Sequence, residues 1–297
     1  MAQRAEDADG NEPVGPGAQG PRVLRAQILL DRVHFSPGQI DARYGDDLAT
    51  GIKAFQEVNN LKVTGTVDVE TWKLLNRDMR PLFVAYTVRP VDVKGPFGPI
   101  PKDVQEQAQM KYMGYESAED ELSEKFHSSP RLLAELNPGK HLDMPGEVLE
   151  VPNVPPHAPA RVARVVVSKS KRTVTAYGVG DKVIAEYPAT IGGEHDPLPI
   201  GTWKILSVDR NPWFYYDPVH FWNTSPDAAA AKLPPGPRNP AGTVWMGLSK
   251  AHYGIHGTPD PGRIRHGESA GCIRLTNWDA LDLARMVHPG TPAILEE

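Results

Sequence analysis

Cysteine is nearly absent from this chain: Cys272 is the single one in 297 residues, so no intramolecular disulfide can staple the fold. Long apolar runs are missing as well. No stretch reaches the ~20 residues that a membrane-spanning helix needs, and residues 1–20 lack the apolar middle of a signal peptide. Nor is there a basic run: 32 Lys+Arg stand against 37 Asp+Glu, a net charge of −5, which argues against a nucleic-acid partner. What remains is a chain that must hold itself together by packed cores.

Proline, by contrast, is plentiful. The 30 prolines gather in the N-terminal tail, near residues 90–101, at 151–159 and at 233–240, where they mark linkers and one long ordered loop. With 40% hydrophobic and 23% charged residues, the composition is that of a globular protein, and the length suits about two or three domains.

The chemistry concentrates in residues 252–275, which read HYGIHGT, then a Pro/Gly-rich connector, then SAGCIRL. Cys272 is a candidate nucleophile, and because a free thiol is mostly protonated at neutral pH it needs a base or a positive neighbour. His256, 16 positions upstream and flanked by Gly254 and Gly257, is the candidate base. A buried structural cysteine beside an unrelated histidine is the competing reading, and glycines at 254, 257 and 271 weigh against it. A metal site is a second competitor, through His252, His256, His266 and Cys272. Tyr253, Gly254 and Ile255 read as extended, however, which would put the His252 and His256 rings roughly 13 Å apart at the ~3.3 Å rise of a strand. No metal and no cofactor are expected.

Taken in order, residues 1–21 are polar and Gly/Pro-rich, and read as a disordered tail. Helical spacing begins with Val23, Ala26, Gln27 and Leu30, and repeats in Leu48, Ile52, Phe55 and Val58; a shorter helix fits 69–75. Phe55 and Trp72 are candidate core residues. The set Gln27, Gly38, Ile40, Asp41, Tyr44, Gly45, Phe55, Gln56, Leu61, Gly65, Val67, Thr71 and Trp72 closely resembles the peptidoglycan-binding domain of bacterial wall enzymes. Over 84–153 the order is strand (84–90), two short helices (117–126 and 130–136) and a closing strand (146–152). With YTV at 86, LNPG at 136 and PGEVLEVP at 145 it looks like a LysM module, interrupted by an insertion at 91–115. A plain structural spacer is the alternative.

From residue 161 the pattern turns to short β-rich segments at 162–168, 173–179, 182–190, 202–208, 244–248 and 253–256, followed by one helix at 277–287. The connection 211–239 is long and aromatic, with Trp213, Phe214, Tyr215, Tyr216, Phe221 and Trp222, and suits a lid. The motifs YPATIGG at 187, PLPIGTWKI at 197, NPAG at 239, YGIHGT at 253, SAGCIRL at 269 and GTPAI at 290 together resemble the L,D-transpeptidase (YkuD-type) catalytic domain. Position 270 is alanine where that family often carries histidine or another polar residue.

These resemblances imply a multidomain chain: the tail over 1–21, a small three-helix peptidoglycan-binding domain over 22–80, an α+β LysM-like module over 81–154, a linker over 155–160, and a mainly-β, sandwich- or barrel-like L,D-transpeptidase domain over 161–297. They further imply a cysteine acyltransferase in which Cys272 attacks a peptidoglycan stem peptide and His256 moves the proton. The Gly257 carbonyl or the Ser269 hydroxyl orients the imidazole, and the Gly271 and Cys272 amides form the oxyanion hole. Arg274 binds a substrate carboxylate, while Tyr253, Trp213 and Tyr215 contact substrate. Peptidoglycan is the expected partner and a carbapenem the expected covalent inhibitor. The expected location is the periplasm or cell wall, with the export signal or anchor absent from this sequence. A stem amine, a lipoprotein lysine and water are all open as acceptors, so an L,D-carboxypeptidase is an alternative. An inactive wall-binding protein is another, against which intact His256, Cys272 and Arg274 argue. A sortase-like enzyme is disfavoured because Arg274 lies only two positions after Cys272.

Overall fold

The computed structural model describes residues 1–8, 12–158, 160–220 and 229–297. The chain divides into two compact units that are interleaved in sequence: the first holds residues 1–95, 117–158 and 185–188, the second 96–116, 159–184 and 189–297.

In the first unit, α1 (Ala2–Glu6) precedes α2 (Pro21–Asp31), α3 (Asp46–Val58) and α4 (Val69–Leu75). Each start is written in the sequence. Pro21 stands in the first turn of α2, Asp46 and Asp47 in that of α3, and the Asp68 carboxylate accepts the Thr71 N–H at 2.9 Å to cap α4. Leu24, Ile28, Leu48, Ile52 and Trp72 are buried, and Phe55 with them. The motif glutamines are structural ties: Gln27 Nε2 donates to Asp41 at 2.9 Å, and Gln56 Nε2 to the Thr66 carbonyl at 2.8 Å.

The expected disordered tail is not what forms. Val14 and Val67 exchange backbone hydrogen bonds at 3.0 and 2.8 Å, Trp72 Nε1 donates to the Glu12 carbonyl at 2.9 Å, and α1 buries Ala2 and Ala5. Small apolar contacts and two β-bridges, Val14 with Val67 and Gln19 with Arg43, tie down the described part of this segment, and composition alone does not register them.

Next come β1 (Phe83–Thr87), α5 (Val104–Gln109), α6 (Ala118–Lys125), α7 (Pro130–Leu136) and β2 (Val148–Pro152). β1 and β2 pair antiparallel over a core of Val88, Leu122, Leu133, Leu149 and Val151, with Ser117 and Ser129 capping α6 and α7. The β-α-α-β order is the expected one. The expected insertion, however, does not stay in this module. Residues 96–116, with α5, belong to the second unit, where Met113 is buried and its N–H donates to the Pro235 carbonyl at 2.9 Å.

The remaining elements are β3 (Arg164–Ser168), β4 (Thr173–Tyr177), β5 (Val183–Pro188), whose residues 185–188 fall in the first unit, β6 (Gly201–Arg210), β7 (Phe214–Tyr216), β8 (Ala231–Leu233), β9 (Val244–Leu248), β10 (Gly254–His256), β11 (Ile273–Arg274), α8 (Asn277–Met286) and β12 (Pro292–Glu296). Eight of these strands form one mixed sheet in the order β11-β10-β9-β6-β12-β3-β4-β5. It is a single continuous sheet rather than two stacked ones, the barrel-like side of the expectation. Strand alternation fixes which residues enter its core: Val165 and Val167 of β3, and Val244, Met246 and Leu248 of β9, are buried. The ten-residue β6 serves two neighbours, pairing with β12 through its first half and, past a bulge between Ile205 and Ser207, with β9 through its second. Thr276 caps α8, which packs on β9 and β10 and buries Trp278 and Leu283. β7 and β8 form a separate two-stranded ribbon.

Candidate active site

The site is built on the edge of the sheet. β10 and β11 run parallel with Ile255 opposite Ile273 and His256 opposite Arg274. Because side chains alternate, Ile255 and Ile273 go to the core together while Gly254, His256, Cys272 and Arg274 share the other face. A 16-residue separation in sequence thus becomes a diagonal neighbour relation across two strands.

His256 is 3% exposed, and the Trp245 ring stacks on it at 5.2 Å with a 22° interplanar angle. Its Nδ1 lies 2.7 Å from the Gly257 carbonyl oxygen. A carbonyl only accepts, so Nδ1 carries the proton and Nε2 is left with its lone pair, the tautomer a general base needs. Burial lowers the imidazole pKa to about 3; the Arg274 charge adds to this and the Gly257 carbonyl opposes it.

Cys272 is half-buried, and its thiol donates to the His252 carbonyl at 3.7 Å. Burial pushes the thiol above its ordinary value, while the Gly254 N–H and the Arg274 charge pull it down. Arg274 is itself lowered by burial and raised by the neighbouring cysteine, and its Nε is buried with no hydrogen-bond partner among the described residues. The guanidinium therefore favours thiolate on one side and disfavours imidazolium on the other.

Gly271 has φ +83°, and a Cβ there would come within 2.6 Å of the Tyr253 ring, so only glycine fits the turn into the nucleophile. The Ser269 hydroxyl donates to the Cys272 carbonyl and not to the imidazole; of the two expected orienting groups, Gly257 is the one in place. Tyr253 lies against Gly271, its phenol pushed up by burial and then by Cys272 and Asp196. Trp213, just before β7, and Tyr215, within it, are exposed, and Lys232 Nζ lies 4.5 and 5.2 Å from their ring centres. The Phe221 and Trp222 of the expected lid lie outside the described residues.

Two residues escape the sequence reading. Trp245 supports the imidazole from the next strand, and nothing in VWMGL distinguishes it from an ordinary β9 residue. Asn277, buried at the start of α8, accepts the Thr243 N–H at 3.1 Å and donates to the Pro237 carbonyl at 3.2 Å. Its side-chain oxygen lies so close to Gly257 that a Cβ there would approach it to 2.1 Å. It thereby braces the peptide whose carbonyl orients His256.

A lone cysteine on the strand next to a buried, tautomer-fixed imidazole is the equipment of nucleophilic cysteine chemistry. The L,D-transpeptidase catalytic domain family matches residues 162–295, and a peptidoglycan-binding domain family matches residues 19–75. The L,D-transpeptidase YkuD of Bacillus subtilis (strain 168) is 31% identical over 166 residues, 56% of this chain and 80% of that protein. YkuD of Bacillus licheniformis is 31% identical over 176 residues, 58% of this chain and 89% of that protein. Among solved structures, an L,D-transpeptidase from Mycobacterium smegmatis is 17% identical, covering 57% of this chain and 86% of that one with a TM-score of 0.38. The chain belongs to the L,D-transpeptidase family. Its activity is L,D-transpeptidation on peptidoglycan stem peptides, carried by its one cysteine.

Proposed function

We propose that Cys272 attacks the carbonyl joining the third residue of a donor stem to the following D-alanine. As the C–S bond forms, the thiol proton passes to His256 Nε2 and the carbonyl oxygen becomes an oxyanion, held by the Gly271 and Cys272 N–H groups. Collapse breaks the C–N bond, and His256 returns the proton to the departing D-alanine amine. An acceptor amine then attacks the thioester, gives its proton to His256 and releases the cysteine, leaving a 3→3 cross-link or an attached protein. The observation that carries this reading is the 2.7 Å contact between His256 Nδ1 and the Gly257 carbonyl, which leaves Nε2 free to accept on the face that Cys272 shares. Arg274, beside the sulfur and with an unpartnered Nε, stabilises the developing thiolate and takes a substrate carboxylate. Tyr253, Trp213 and Tyr215 contact the substrate.

The 81–154 module serves as a LysM-like second glycan binder beside the three-helix domain, and the enzyme works in the periplasm or cell wall. A carbapenem acylates Cys272, since its strained amide offers the same kind of carbonyl. Incubation with disaccharide-tetrapeptide followed by mass analysis tests the reaction. Cross-linked dimer with loss of D-alanine is expected from the wild type and not from Cys272→Ala, and turnover by that variant would overturn the cysteine mechanism. Tripeptide alone, without dimer, would make water the acceptor.

A further inference from the structure

The carbonyl that fixes the His256 tautomer belongs to a glycine, and a glycine has no side chain with which to hold its own peptide in one orientation. Position 257 has no room for one, since a Cβ there would lie 2.1 Å from the Asn277 side-chain oxygen. The orientation of that carbonyl is therefore supplied by neighbours. One is Asn277, which lies against Gly257 itself. The other acts two residues on, where Arg238 Nη1 donates to the Pro259 carbonyl at 2.6 Å. Together they grip the chain leaving β10 before and after Thr258, which is buried.

Both grips converge on one turn, residues 234–239. Asn277 Nδ2 donates to the Pro237 carbonyl, and Arg238 is itself a member of the turn. Asn239 is fully buried and ties the turn together: its Nδ2 donates to the Pro234 carbonyl at 2.7 Å, and its Oδ1 accepts the Ala241 N–H at 2.8 Å. Further support comes from residues 96–116, which in sequence stand between β1 and α6. The Met113 N–H donates to the Pro235 carbonyl at 2.9 Å, and the Met113 carbonyl accepts the Arg238 N–H at 3.0 Å. Gly236, at φ +145°, makes room for this pairing; a Cβ there would meet the Met113 carbonyl oxygen at 2.1 Å. Two residues past Met113, the Tyr115 ring faces the Arg238 guanidinium, with 5.2 Å between ring centre and Cζ. A cation held over an aromatic face has already lost much of its freedom, and a charged donor binds the Pro259 carbonyl more firmly than a neutral one.

We propose that Arg238 is a positioning residue for His256, aimed by Met113 and Tyr115, so that residues 96–116 act as a brace that keeps the imidazole protonated at Nδ1. The inference rests on the reading of His256 as the general base. Without the brace the Gly257 peptide rotates, Nδ1 loses its acceptor, and a share of the imidazole carries its proton on Nε2, where it cannot take one from Cys272. The loss falls on the chemical step and not on substrate binding.

The test uses the full chain labelled with nitrogen-15 at histidine, the His256 signals being identified by their loss in His256→Gln. In the wild type, the ring nitrogen shifts should report one neutral form protonated at Nδ1. In Arg238→Gln they should move toward the Nε2–H form, and kcat for D-alanine release from the tetrapeptide should fall about tenfold or more with KM within about twofold. Arg238→Lys should recover part of both. Tyr115→Leu should shift both in the same direction, and adding it to Arg238→Gln should lose less than the two single effects multiplied. Melting curves identify the variants that fold; should Arg238→Gln not be among them, Tyr115→Leu and Arg238→Lys carry the same comparison. A folded Arg238→Gln with wild-type shifts overturns the positioning role whatever its kcat, and a folded Tyr115→Leu with wild-type shifts removes residues 96–116 from it. A wild type that releases no D-alanine, yet shows the Nδ1–H form and loses it in Arg238→Gln, would sink the stem-peptide reading and leave the brace standing.

Discussion

His256 and Cys272 are held by burial in their neutral forms, which separates this site from one that rests as a thiolate–imidazolium pair. The proton then moves when substrate arrives, with Arg274 favouring the anion on sulfur. Arg274→Gln should therefore move the pH midpoint of iodoacetamide alkylation upward, and Arg274→Lys should bring it part of the way back; an unchanged midpoint would remove Arg274 from the electrostatics of the sulfur. Stability carries a second signature of the same burial. The folded imidazole titrates near 3 and the unfolded one near its ordinary 6.5, so between those values the unfolded chain binds the extra proton. The contribution is present in full above about 6.5 and is lost as pH falls toward 3, at up to about 1.4 kcal/mol per pH unit. Denaturation midpoints of wild type and His256→Gln across this window should converge as pH drops, and parallel curves would contradict the assignment.

At the level of elements, the expected lid 211–239 can be probed by shortening it short of Pro235 and Pro237, whose carbonyls accept from Met113 and Asn277. Its described part includes the β7–β8 ribbon, with exposed Trp213 and Tyr215 beside Lys232. If it covers the thioester, shortening it should raise the ratio of hydrolysis to cross-linking and shorten the life of a carbapenem adduct seen by mass spectrometry. A deletion that leaves both unchanged would reduce the loop to a surface feature. Many strands and helices of both units were legible because their signals are local: β-rich runs bounded by turns for β3 and β9, helical spacing in α2 and α3. Cys272, His256 and Gly271 were legible from their glycine-flanked motifs, which reflect backbone demands. What escaped depends on distant partners. Val14 needs Val67, Met113 needs Pro235, Trp245 needs His256 and Asn277 needs Gly257, and no composition or period announces those meetings.

For the molecule as a whole, the peptidoglycan-binding domain at residues 19–75 should hold the enzyme on its polymer independently of turnover. No helix among the described residues is long and apolar enough to cross a membrane. Full-length Cys272→Ala should co-sediment with insoluble peptidoglycan as the wild type does, and protein left in the supernatant would count against wall binding. The interleaving of the two units reaches further than architecture. Residues 96–116 carry Met113, whose carbonyl accepts the Arg238 N–H at 3.0 Å, and Gln105, whose side chain donates to the Ala229 carbonyl at 2.9 Å, yet the chain flanking them on both sides builds the other unit. One scission, by a protease or by recombination between genes, cannot part the units cleanly: a piece starting at residue 161 forfeits a buried methionine of its own interior. A fragment beginning at residue 161 should therefore melt at a lower temperature than the full chain, and equal midpoints would show that 96–116 adds nothing to the second unit.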